Sequence, residues 1–236
     1  MGSSPIVIFL KAGLMGQIII FILLMGSIYA TAIWLDKRKL LNNIVSLNDV
    51  FKKNYLDSGN DFDLFLKNQM WRHWEIAPLP RIYQKAAREV QLYLSETNFA
   101  QSSSVATSSK KLTLTDIESL EKLIEREISE ELTLLQSSLH HLATIASVAP
   151  LAGLLGTVWG IMVTFIEMSH QGNANISTVA PGVSQALITT IFGLVVAIPA
   201  LISYNNFNHR INAMAVEMQN FMSSFVSKIE RRFLIS

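Results

Sequence analysis

The 236-residue sequence predicts an all-α membrane protein. Three transmembrane helices, the second and third long and extended into the cytoplasm, join a cytoplasmic helical loop domain. Three observations carry this. The chain is 50% hydrophobic and only 16% charged, whereas a soluble globular domain carries about 25% charge. Of its 37 Asp, Glu, Lys and Arg residues, 29 lie between Asp36 and His141, and the other 130 residues share eight. Three uncharged runs are long enough to cross about 30 Å of hydrocarbon at 1.5 Å per residue. Buried helices of a soluble protein would need a polar shell that this chain lacks.

Residues 1–13 read as an outer N-terminal segment. The first span covers 14–35, bounded by Lys11 and by the run Asp36-Lys37-Arg38-Lys39. Its 22 residues exceed a signal-peptide apolar core, and no small-residue cleavage site follows, so it reads as a retained anchor. Ile6 stands where N-myristoylation requires Ser or Thr, which excludes that modification. A loop over 36–141 leads to the second span, 142–166. A short outer loop, 167–180, precedes the third, 181–207, set in an uncharged run from Ile176 to Asn208. Residues 208–236 form a C-terminal helix.

Lys and Arg accumulate on cytoplasmic flanks, while Asp and Glu count for little. Between spans one and two there are 14 Lys and Arg; between spans two and three there are none; after span three come Arg210, Lys228, Arg231 and Arg232. The N-terminus is therefore expected outside, with the large loop and the C-terminus cytoplasmic.

Within the large loop, Thr115 and Glu118 read as a capping box, after which Ile117, Leu120, Ile124, Ile128, Leu132, Leu135, Leu139 and Leu142 recur at three and four. That helix is expected to run straight into span two. Glu118, Glu121, Glu125, Glu127, Glu130 and Glu131, with Lys122 and Arg126, fall on its other faces and read as solvated. Ile211, Met214, Met218, Phe221, Phe225 and Ile229 repeat the pattern after span three. Between Leu47 and Leu94, apolar residues including Phe51, Phe62, Phe65, Trp71, Trp74, Ile82, Tyr83 and Val90 predict shorter helices, broken at Asp57-Ser58-Gly59-Asn60 and at Pro78 and Pro80. The Ser-rich stretch 95–110 reads as a flexible linker.

Small and hydroxylic residues line the second and third spans. Gly153, Thr157, Gly160 and Thr164 share one face, with Gly156 one turn away; Gly182, Ala186, Thr189, Gly193, Ala197 and Ala200 share another. Such stripes let helix backbones approach closely in lipid. Gly153, Gly160, Gly193 and Ala197 are expected to face neighbouring subunits or a central partner. The bland reading of Thr157, Thr164, Thr189 and Thr190 is a hydroxyl bonded to its own or a neighbouring helix. Gln185 is harder to dismiss as packing, because a dehydrated amide needs partners for two donors and two acceptors; it could also sit at the outer interface.

No span contains Asp, Glu, Lys, Arg or His, so the chain cannot by itself hold and release a proton at mid-membrane. An ion-driven function needs that group from a second subunit. Other chemistry is also missing. There is no Cys, so no disulfide, thiolate site or Cys nucleophile; no Gly-rich phosphate loop with its Lys; and no pairing of the five His that suits a metal. His140 and His141 instead mark the inner membrane boundary, with His209 at matching depth after span three. A net charge of +1 with no basic patch set among aromatic residues excludes nucleic acid. No enzyme activity, cofactor or metal is expected.

The run Pro150-Leu151-Ala152-Gly153-Leu154-Leu155-Gly156-Thr157-Val158-Trp159-Gly160-Ile161-Met162 resembles the second-span motif of the MotA/TolQ/ExbB proton channel family. Ala180-Pro181-Gly182-Val183-Ser184-Gln185-Ala186-Leu187-Ile188-Thr189-Thr190 resembles its third-span motif. Gly193-Leu194-Val195-Val196-Ala197-Ile198-Pro199-Ala200 with Tyr204-Asn205 continues it, and Phe9-Leu10-Lys11-Ala12 favours the TolQ branch. The resemblance implies a pentamer in the bacterial inner membrane around two copies of a single-span ExbD/TolR-like partner, whose membrane Asp is the protonatable group. It further implies that proton flow energises a TonB- or TolA-like envelope protein. By motif position, Thr157 and Thr190 match the family's polar residues facing the partner and the proton path, with Thr189 and Gln185 beside them. Many members carry Glu where this chain has Gln185. A structural membrane scaffold without ion conduction is the competing reading. A substrate transporter is the least supported, since neither an inverted repeat nor an interrupted helix pair is visible.

Overall fold

A computed structural model of the chain describes residues 13–57, 76–100, 112–171 and 176–233. Among these residues it is all-helical. Helix α1 spans Leu14–Asp57, α2 Pro78–Ala100, α3 Leu114–Gln136, α4 Leu139–Gln171 and α5 Ile176–Phe233. Residues 1–12 of the expected outer segment, Phe9 to Ala12 among them, lie outside the described residues. So do Phe62, Phe65, Trp71 and Trp74, the expected break at 58–60, and residues 234–236. The chain divides into two compact units, Met1–Lys37 with Ser138–Asn208, and Arg38–Ser137 with His209–Ser236.

The first unit holds the apolar runs, and Lys11, Asp36, Lys37 and Glu167 are its only Asp, Glu, Lys or Arg residues. Three helices among the described residues are long and apolar enough to cross a membrane. Only 28%, 28% and 33% of their apolar windows are buried within the chain, so most of that surface needs hydrocarbon or another apolar chain around it. The buried share joins all three. Ile19 and Leu23 of α1 pack with Ala149 of α4 and with Val196 and Ala197 of α5. Pro150 and Pro199 lie inside α4 and α5. Each removes one helix N–H, a loss that neighbouring helices and hydroxyl side chains absorb in spans. The expected outer loop over 167–180 is shorter than the charge pattern suggested: 167–171 and 176–180 are helical, and 172–175 lie outside the described residues.

In the second unit, parts of α1, α2, α3 and α5 surround one apolar core. Phe51 and Tyr55, Ile82, Tyr83 and Val90, Leu120 and Ile124, and Met218, Met222 and Phe225 meet there. The rings are interlocked edge to face, Tyr83 to Phe225 at 5.0 Å and Tyr55 to Phe221 at 5.1 Å, a geometry that adds about 0.5–1.5 kcal/mol per pair beyond area burial. Leu112 donates its N–H to the Phe233 carbonyl at 2.7 Å, occupying an end carbonyl of α5.

Four expectations are corrected here. The cap of α3 is Thr113, not Thr115: its extended backbone (φ −91°, ψ 162°) lets Oγ1 accept from Asp116 N–H, while the Asp116 carboxylate accepts from Thr113 N–H at 2.8 Å. Glu127 and Glu131 are buried rather than solvated, because Lys85 and Arg81 of α2 close over them as ion-pair partners. The stretch read as a linker from residue 95 is helical through Ala100, and 101–111 lie outside the described residues. Finally, α3 does not run unbroken into α4. A turn at Ser137–Ser138 intervenes, where Ser137 N–H and Oγ both turn back to the Leu134 carbonyl, at 3.4 and 2.8 Å.

Candidate functional site

The polar groups of the first unit gather where α4 meets α5, and glycine brings the two backbones together. A Cβ on Gly153 would lie 2.8 Å from the Thr189 carbonyl oxygen, one on Gly193 2.6 Å from that of Ala149, and one on Gly160 2.7 Å from the Ala186 Cβ. Any side chain at these positions would force the helices apart. Gly156 faces the Thr189 side chain and Gly182 that of Thr164. Gly153, Gly160 and Gly193, expected to face neighbouring subunits or a central partner, meet the facing helix of their own chain. They are filled from within the same chain, and Ala197 is covered by α1 through Ile19 and Leu23. A stripe of small residues specifies close approach but carries no label for the helix that approaches.

That contact sets two hydroxyls at one carbonyl and a third beside them. Thr189 Oγ1 lies 3.0 Å from the Gly153 oxygen and 2.7 Å from that of Ala186. Thr190 Oγ1 lies 3.2 Å from the same Gly153 oxygen and 3.4 Å from Thr157 Oγ1. Thr157 Oγ1 donates to the Leu154 carbonyl at 2.7 Å. Each hydroxyl has one proton, so Thr189 and Thr190 each choose between two acceptors. Such a set can reorient and pass a hydrogen bond between helices without any charged member. Thr189 and Thr157 are 1% and 6% exposed, and Thr190 is half-buried.

Gln185 stands apart from this cluster. It lines a cavity of about 560 Å³ within the first unit, together with Thr164 and Glu167 of α4 and the first turn of α1. Sequence reading placed Glu167 in an outer loop and missed it as a cavity residue. The available signal was spacing: Gly160, Thr164 and Glu167 are four and three apart, on one helix face. Among the described residues no group of three or more His, Cys, Asp or Glu is placed to hold a metal ion.

Comparison with known proteins gives a family to set beside this geometry. The MotA/TolQ/ExbB proton channel family matches residues 81–220. The Tol-Pal system protein TolQ of Haemophilus influenzae is 31% identical over 225 residues, covering 95% of this chain and 93% of that protein. TolQ of Pseudomonas aeruginosa is 40% identical over 116 residues, 49% of this chain and 50% of its own. The biopolymer transport protein ExbB of Salmonella typhimurium is 48% identical over 73 residues, 31% of this chain and 30% of that one.

Proposed function

The chain belongs to the MotA/TolQ/ExbB proton channel family, and from that premise we propose that it is the pore-forming subunit of a proton-motive-force-driven inner-membrane motor. Its relatives and its three apolar helices make it a multi-pass inner-membrane protein of the TolQ/ExbB type, a family that couples energy and transport rather than catalysing a reaction. In the proposed assembly, five copies surround an ExbD/TolR-like single-span partner carrying a membrane Asp. A TonB- or TolA-like protein receives the work. The N-terminus lies in the periplasm, and α4 and α5 carry the C-terminal and loop helices into the cytoplasm. Each proton crossing the membrane supplies about 2.3 kcal/mol per 100 mV.

One observation carries this reading. The helices hold no ionisable group at mid-span, yet they bring Thr189 and Thr190 onto the Gly153 carbonyl, with Thr157 beside Thr190. A path made only of hydroxyls and a carbonyl can relay a proton but cannot store one, so the stored proton belongs to the partner's carboxylate. Replacing Thr157 or Thr190 with Val keeps the shape and removes the hydroxyl. In the complex with its single-span partner, each change is expected to reduce proton flux at least tenfold while the assembly still co-purifies.

The scaffold reading has one observation in its favour: all three hydroxyls have backbone carbonyls within reach and can serve packing alone. Unchanged flux in both valine variants would decide for it.

A further inference from the structure

We propose that the cavity lined by Gln185 and Glu167 is an aqueous vestibule for a hydrated monovalent cation. Glu167 is its collecting carboxylate, and Thr164 and Gln185 supply oxygen ligands behind it. This deepens the proton-conducting reading above and rests on it. The cavity measures about 560 Å³, room for a cluster of waters whose share of liquid volume is about 30 Å³ each. Three elements line it: the start of α1, one face of α4 and one face of α5.

The chemistry of the lining selects a cation. Among the described residues, Glu167 is the one ionisable group on it, and no Lys, Arg or His contributes. Thr164 Oγ1 commits its proton to the Gly160 carbonyl at 2.8 Å, so toward the cavity it offers only lone pairs. Thr189 likewise commits its proton to a backbone carbonyl, at 2.7 or 3.0 Å. Gln185 can turn its carbonyl oxygen inward, and Trp159 adds a π face that attracts cations. Among the described residues, an anion would find a carboxylate in its way and side-chain N–H donors on Gln185 and Trp159.

The cavity also leads somewhere. Its lining on α4 runs from Glu167 back to Gly156, about 16 Å along the helix. At that inner end it reaches Thr189, which shares the Gly153 carbonyl with Thr190. The neutral amide at 185 fits this arrangement. A second carboxylate there would set two like charges in one small cavity, whereas the amide leaves a single negative charge for a single monovalent cation.

The test uses the full complex with its single-span partner in proteoliposomes. One arm applies a pH gradient in sodium-free buffer; the other applies a sodium gradient at uniform pH. Each is run on wild type, Glu167→Gln, Glu167→Asp and the exchange Glu167→Gln with Gln185→Glu. A collecting carboxylate predicts that Glu167→Gln raises the half-saturating cation concentration about tenfold and leaves the saturating flux unchanged. Glu167→Asp and the exchange should recover the wild-type value, and the arm that responds identifies the cation as proton or sodium. Unchanged half-saturation in Glu167→Gln, with normal wild-type flux, would overturn the vestibule and leave the motor reading standing. Infrared difference spectra of the same samples, recorded on cation addition, separate the opposite case. A carboxylate response lost in Glu167→Gln without any wild-type flux would support the vestibule and overturn the conducting function; no such response together with no flux would overturn both.

Discussion

Two hydroxyls of α5, those of Thr189 and Thr190, converge on one carbonyl of α4, the Gly153 oxygen. Thr189 is 1% exposed, so Thr189→Val swaps an interhelical hydrogen bond for a methyl group of similar volume. The expected loss is about 0.6–2 kcal/mol, read as a lower midpoint when detergent-solubilised protein is titrated with denaturing detergent. Gly193→Ala should cost about 1–3 kcal/mol by overpacking, since its new methyl would lie 2.6 Å from the Ala149 carbonyl oxygen. Wild-type stability in Gly193→Ala would mean that α4 and α5 do not meet there. At this scale the residue types were legible and their partners were not. Periodicity picked out the glycines and threonines because close approach in lipid demands small residues. Whether the approaching helix came from the same chain or another was not encoded in that spacing.

The α2–α3 pair shows what an element hides from its own sequence. The three-and-four stripe of α3 identified the apolar residues that became its buried face, Ile117, Leu120, Ile124 and Ile128. It assigned Glu127 and Glu131 to water, because a single helix cannot announce that Arg81 and Lys85 of another will cover two of its acidic residues. Burial holds the Glu131 carboxyl above the usual carboxylate range, against the opposing pull of Arg81. A raised carboxyl pKa means that the folded state binds the proton more tightly than the unfolded chain. The stabilising contribution is therefore complete below the ordinary carboxylate value and is lost as pH rises through the raised folded value. Glu131→Gln should remove that pH-dependent loss and leave stability at neutral pH equal or slightly higher. Arg81→Ala should lower it by about 1–2 kcal/mol, less than the 3–5 of a fully buried pair, because Arg81 is 40% exposed. Thermal unfolding of both variants across pH checks the sign, and a destabilised Glu131→Gln would show that the ion pair outweighs the burial penalty. The cap of α3 carries a smaller lesson. Thr113-x-x-Asp116 and Thr115-x-x-Glu118 both fit a capping box, and only the backbone conformation at Thr113 decides between them.

Over the whole molecule, the uneven distribution of charge was the most informative feature of the sequence. The chain divides into two compact units at Lys37, Ser138 and Asn208, and the charges are divided with it. The first unit holds four Asp, Glu, Lys or Arg residues and the second holds the rest. The proposed orientation has its own test, made simple by the absence of native Cys. A membrane-impermeant maleimide should label Ser169→Cys in intact spheroplasts and Ser129→Cys only after permeabilisation, and the reverse pattern would invert the topology. What the sequence could not show at this scale was the cavity, because three segments far apart in the chain line it.

The central claim is that this chain provides a hydroxyl path through the membrane, while the proton-storing carboxylate belongs to another subunit. Proton uptake into proteoliposomes under an applied pH gradient tests it most directly, with this chain alone, with its single-span partner, and with a partner whose membrane Asp is changed to Asn. The account predicts uptake only in the second case. Uptake at the same rate by this chain alone, or with the Asn partner, would contradict it.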